Sequence, residues 1–321
     1  MRALWSLLFA PALIACNGST PAPVQPPPSA APSGALAPPG TTASGASPVP
    51  GPAAEPAARA GKGEACGPLG CRAFATPEEA FATIVEAKPL VLGIGEAHAQ
   101  KGTEQVTSST KRFTEQLLPE LKGKASFLLV ELMLPNDKCK KETKQVQKQQ
   151  KPVTAPQAET NQNEYVVLGQ KAKAAGIVPD LLRPSCDDLT KITEAGASDI
   201  GVMLETIARL TKNVVQSELD RNKKASKDLM VVAYGGALHN DIEPRQGREA
   251  WSYGPALAAA SGQRYVELDL IVPEYIKDSE TWTSLPWYSH YDREKLGDKT
   301  VLFSPRAGSY VLIFPLSSAK K

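Results

Sequence analysis

Two segments of this sequence are apolar almost without interruption: "SFLLVELML" at 126–134 and "LMVVAYGGAL" at 229–238. A strand with one face in water alternates apolar and polar residues. A strand that is apolar throughout must be covered on both faces, so these runs predict a sheet with helices on each side. The rest of the pattern agrees. "TPEEAFATIVEAK" predicts a helix, with Thr76 as N-cap, Pro77 in the first turn, Glu79 completing a capping box, and Ala80, Phe81, Ile84 and Val85 on one face. "PLVLGIG" predicts a strand, and "SSTKRFTEQLLPELKG" a helix. Downstream, "NEYVVLGQKAKAAG", "SDIGVMLETIARLTKNVVQSELDRNKKAS" and "YGPALAAASG" predict helices. "IVPDLLRPS" and "RYVELDLIVP" predict strands, and "KTVLFSPRAGSYVLIFPL" a hairpin across Ala307-Gly308. Repeated strand–helix units give an α/β fold: a largely parallel sheet flanked by helices, with an antiparallel C-terminal hairpin expected at its edge.

One stretch breaks the alternation. "PNDKCKKETKQVQKQQKPVTAPQAETNQ" is polar and rich in lysine. It reads as a surface insertion, a solvated loop or frayed helix, whose basic run suits anionic headgroups or polyanions.

The beginning of the chain carries an address. "MRALWSLLFAPALIAC" has Arg2 and then an apolar run too short to span a bilayer. It ends on Leu13-Ile14-Ala15-Cys16, which resembles a bacterial lipobox. The expectation is a lipoprotein signal peptide over 1–15 and lipidation at Cys16. Residues 16–63 are rich in Pro, Ala, Gly and Ser and poor in bulky apolar side chains, the composition of a semi-flexible linker. Residues 64–321 are then one large domain. The expected partner is a membrane, reached through the lipid anchor in the bacterial envelope, with the outer membrane favoured. The formal charge of +2 gives no reason to invoke nucleic acid.

Cys66, Cys71, Cys139 and Cys186 remain. In an exported chain they suit disulfides. The local loop "CGPLGC" favours Cys66–Cys71, leaving Cys139–Cys186; a four-thiolate zinc site is the alternative.

The chemistry concentrates where predicted strands end. "VLGIGEAHAQ" closes on Gly95-Glu96-Ala97-His98, and "VVAYGGALHND" on Gly236-Ala237-Leu238-His239. Two of only three histidines thus follow a strand as Gly-x-x-His. Glu131 interrupts the apolar strand, and Arg183 follows another. Ligands gather beyond the carboxyl ends of strands in open α/β sheets. Glycine there is expected to let the backbone turn and leave room for a ligand. Glu96, His98, Glu131 and His239 are therefore the catalytic candidates, and Arg183 the candidate for binding substrate. His98, His239 and Glu131 could instead hold a divalent metal. Alternatively Glu131 is a structural partner of Arg183 or Arg112.

In this order, "GEAH", an acid on the next strand and a second Gly-x-x-His resemble the superfamily of ChaN haem-binding lipoproteins, erythromycin esterases and TIKI/TraB proteases. The resemblance covers roughly 89–241, and the Glu96-x-His98 spacing is nearer the ChaN-type form. It implies an α/β domain with a site above the sheet built from Glu96, His98, Glu131 and His239. It further implies either hydrolysis or the binding of haem or a metal without catalysis. A degenerate domain serving as an envelope interaction module is the remaining reading.

Overall fold

The computed structural model describes residues 63–317 except 198. The expectations for the signal peptide, Cys16 and the linker fall outside them. The strands are β1 (Glu64–Ala65), β2 (Arg72–Phe74), β3 (Val91–Glu96), β4 (Ala125–Met133), β5 (Val178–Leu182), β6 (Met230–Gly236), β7 (Tyr265–Ile271), β8 (Thr300–Arg306) and β9 (Ser309–Ile313). They form one sheet in the order β1-β2-β8-β9-β7-β3-β6-β4-β5. The six strands from β9 to β5 run parallel. The expected hairpin exists, turning across Ala307-Gly308, but it is not the edge: β9 lies parallel to β7, and β2 extends the sheet beyond β8.

The longer helices are α1 (Pro77–Val85), α2 (Ser109–Arg112), α3 (Lys140–Thr154), α4 (Asn161–Ala174), α5 (Cys186–Ala195), α6 (Gly201–Lys224) and α7 (Gly254–Ala260), with α2 the first turn of a longer irregular segment. Thr76 caps α1 as expected, accepting from the Glu79 amide. After α2 the chain widens to a π-helix over Phe113–Leu117 and tightens to a 3₁₀ turn over Leu118–Leu121. Pro119, which has no N–H to give back to Glu115, explains why a regular helix cannot run through.

The two faces of the sheet bury separate apolar layers. Leu92, Ile94, Leu128, Val130, Val232 and Tyr234 face α1, the α2 segment and α4. Val91, Phe127, Leu129, Val231 and Ala233 face α6 and α7. Nearly every residue of β3, β4 and β6 is buried, as continuous apolar runs require.

The lysine-rich stretch differs most from expectation. It forms α3, an ordered helix that buries Thr143, Val146 and Gln150. The pattern is real but carried by only one strongly apolar side chain, so hydropathy alone missed it. The disulfide Cys139–Cys186 ties the start of α3 to the start of α5, a helix that the sequence reading overlooked. Cys66–Cys71 closes its local loop. All four cysteines are thereby in disulfides, not thiolate ligands.

Candidate functional site

β3 and β6 are neighbours, with Glu96 paired to Gly236. The two histidine segments therefore leave adjacent strand ends at the carboxyl edge, as the sequence suggested. They leave to opposite faces.

Glu96 continues the Leu92, Ile94 alternation and points to the α1–α4 side. Its carboxylate Oε1 lies 2.9 Å from Nδ1 of His98. Three hydroxyls donate to the same carboxylate: Thr110 at 2.8 Å and 3.0 Å, Tyr165 at 2.9 Å and Tyr234 at 2.5 Å. Burial, with the Glu96 charge added, pushes the Tyr165 and Tyr234 phenols well above the ordinary tyrosine range. They stay protonated and act as donors. Tyr165 also lies 3.3 Å from Nδ1 of His98. Glu96 and His98 are 2% and 3% exposed, so this is an interior network.

The segment after His98 is clamped from outside. Ala99 accepts from the Ala158 amide and the Asn161 side chain, and Lys101 donates to Pro156. The clamp is the α3–α4 connection, so the presumed insertion helps fix the His98 loop.

Glu131 continues the Leu129, Met133 alternation and points to the α6–α7 side, among Thr211, Ala233 and Tyr253. Its Oε2 accepts from the Gly236 amide at 2.7 Å, and its Oε1 lies 3.3 Å from Nε2 of His239. Nδ1 of His239 donates to the Trp251 carbonyl at 2.6 Å. Burial lowers the His239 pKa, but Glu131 and the Trp251 carbonyl outweigh it and raise it above the usual histidine value. With an acceptor beside each nitrogen, the surroundings favour the charged ring. Glu131 thus pairs with neither Arg183 nor Arg112.

The glycines serve differently from expectation. A Cβ on Gly235 would sit 1.8 Å from Oε2 of Glu131. One on Gly95 would sit 2.5 Å from Oδ1 of Asn240 and 2.8 Å from Oδ1 of Asp269. The room left by the missing side chains is filled by the protein's own polar groups, not kept open for a ligand.

Arg183 is not brought to this edge cluster. Its side chain is 62% exposed and pairs with Asp180 at 2.5 Å. His290 is exposed in a 3₁₀ turn beside Trp287. Thr110 and Tyr165, both bound to Glu96, were missed by sequence reasoning. Each lies in a helical stretch where a lone hydroxyl looks like surface or packing. The faint signal was Tyr165 in register with Leu168 and Ala172 on one buried stripe.

As a metal site the donor set does not fit as arranged. Among the described residues no three His, Cys, Asp or Glu side chains gather around one point. Both nitrogens of His239 already have partners. Two carboxylate–imidazole pairs, one on each face of a shared strand edge, suit the holding and transfer of protons better. Comparison of the chain with protein-family models, with curated proteins and with solved structures found no match.

Proposed function

We propose that this chain is a lipid-anchored hydrolase of the bacterial envelope, acting on an ester or peptide carbonyl. The Glu96–His98 hydrogen bond of 2.9 Å at the carboxyl end of a central parallel strand carries the reading. With Nδ1 turned to Glu96, proton exchange with water falls to Nε2. That nitrogen takes a proton from water as the water's oxygen attacks the carbonyl. Thr110, Tyr165 and Tyr234 hold Glu96, and so the ring, in place. His239 lies on the other face of the sheet with both nitrogens engaged, by Glu131 and by the Trp251 carbonyl, and takes no part in this step. The protonated His98 then returns its proton to the leaving group. No step needs a metal. The lipobox-like ending at Cys16 and the linker composition support the envelope assignment.

The test is hydrolysis of p-nitrophenyl esters and short peptides by the purified chain. His98→Gln is expected to lower kcat/KM by about 10²–10⁴-fold, as loss of a general base does. His239→Gln, on the opposite face, should leave kcat/KM within a few-fold of the parent. Unchanged turnover in His98→Gln refutes the proposal. A Soret band on haem titration that disappears in the His98 variant would favour the haem-binding alternative instead.

A further inference from the structure

The lysines of α3 are arranged, not merely abundant. At about 100° per residue, Lys140, Lys141, Lys144, Lys148 and Lys151 fall within an arc of about 100° on one face, along roughly 16 Å of helix. All five are exposed, as is Lys138 just before the helix. The opposite face buries Thr143, Val146 and Gln150. Nearby acids lie off the stripe: Glu142 sits about 100° beyond its margin, and Asp137 and Glu159 flank the helix. None of the five lysines forms an ion pair; among the described residues only Lys295 and Lys299 do. Like charges at i, i+4 and i, i+3 spacing repel, so the stripe weakens the helix that carries it. The helix is nevertheless fixed. The disulfide to Cys186 holds its start, Gln149 donates to the Thr193 carbonyl, and Gln150 reaches Met203.

The geometry points to α3 as a docking face for an anionic membrane surface. Five lysines on a convex helix make a row of point charges without arginine forks or aromatic rings. Bidentate phosphate capture uses arginine, and single-stranded nucleic acid needs stacking platforms, so this face suits neither. It suits a plane of diffuse negative charge, where each lysine near the surface changes partitioning roughly fivefold. The choice of a membrane rests on the lipoprotein reading above: a lipid at Cys16 would keep the domain beside such a surface, and the stripe would orient it there.

The experiment uses the full chain carrying Cys16→Ala, so that no acyl group contributes. Co-sedimentation is measured with phosphatidylcholine vesicles and with vesicles also containing phosphatidylglycerol. The leader's apolar run acts alike on both, so the difference reports the charge. Binding should rise with phosphatidylglycerol and fall with added salt. Lys140→Gln/Lys144→Gln/Lys148→Gln should lower the phosphatidylglycerol-dependent part by roughly a hundredfold, with an unchanged thermal melt because the replaced side chains are exposed. Equal binding by the triple variant overturns the proposal. So does loss of heparin binding by that variant with vesicle binding untouched, which reassigns the face to a soluble polyanion. The vesicle result is independent of lipidation: failure of the lipoprotein reading would appear instead as normal membrane retention of Cys16→Ala in cells.

Discussion

Gly235→Ala tests how the second carboxylate–imidazole pair is seated. The three atoms nearest the added Cβ all belong to Glu131: Oε2 at 1.8 Å, Cβ at 2.7 Å and Cδ at 2.8 Å. The carboxylate must leave. It would abandon the Gly236 amide and the His239 ring, both buried. Breaking a buried pair by removing one partner typically costs 3–5 kcal/mol, much of it the unpaired charge that remains, so about 4 kcal/mol is expected here. Glu131→Gly should cost about 5 kcal/mol, the same orphaned groups plus up to about 1 kcal/mol for glycine in a strand. The informative chain is the double variant. With Glu131 gone, the alanine methyl at 235 enters vacated space, and the double variant should be no less stable than Glu131→Gly alone within about 1 kcal/mol. Urea denaturation of the four proteins closes the cycle. Additive losses, or a double variant that fails to fold while each single one folds, would show that the close approach at 235 is not to Glu131 and that the pair is seated otherwise.

Other expectations are separable. Replacing Cys139 and Cys186 together by serine opens a loop of sequence separation 47; chain-entropy arguments put the loss at about 4 kcal/mol by urea denaturation, and a loss below about 1 kcal/mol would contradict a closed disulfide. Burial, then the Glu267 charge, raises the Asp241 carboxyl from 3.8 to about 7. Folding then takes up a proton between about pH 4 and 7, so its contribution is present at low pH and lost as pH rises through about 7. Relative to Asp241→Asn, the protein should lose up to about 4 kcal/mol across that window, and a flat difference would contradict the shift. Cys16→Ala should release the protein from the membrane fraction or block its processing; normal processing with membrane retention would remove the lipoprotein reading.

What the sequence disclosed follows from which interactions are local. Continuous apolar runs marked β4 and β6 because both faces of each strand are covered, and Thr76-Pro77 marked the start of α1 because capping is settled within a few residues. That both histidine segments leave the carboxyl edge of the sheet was legible from their shared Gly-x-x-His context. Their separation onto two faces was not, since it depends on the alternation phase of β3 against β4, fixed only once both strands sit in one sheet. Thr110 and Tyr165 were illegible for a similar reason: their hydrogen bonds to Glu96 span 14 and 69 residues. α3 was underread because its buried face is mostly Thr and Gln, whose anchoring depends on partners elsewhere in the fold. Arg183 was overread although its partner was local: Asp180, three residues upstream, takes up its charge.

β6 acts like a wiring board with three consecutive terminals. Tyr234 sends its hydroxyl to Glu96 on one side. Gly235 leaves the vacancy that Glu131 occupies on the other. Gly236 offers Glu131 its amide while lying opposite Glu96 in the ladder. A strand has no tolerance for a shift of one position, since every side chain then changes face. One residue inserted between Met230 and Ala233 would bring the phenol to the Glu131 side and put Ala233 where the phenol now reaches Glu96, disconnecting both circuits together. Loops elsewhere on this domain can drift in length, whereas these few residues tie the two halves of the edge to a common frame.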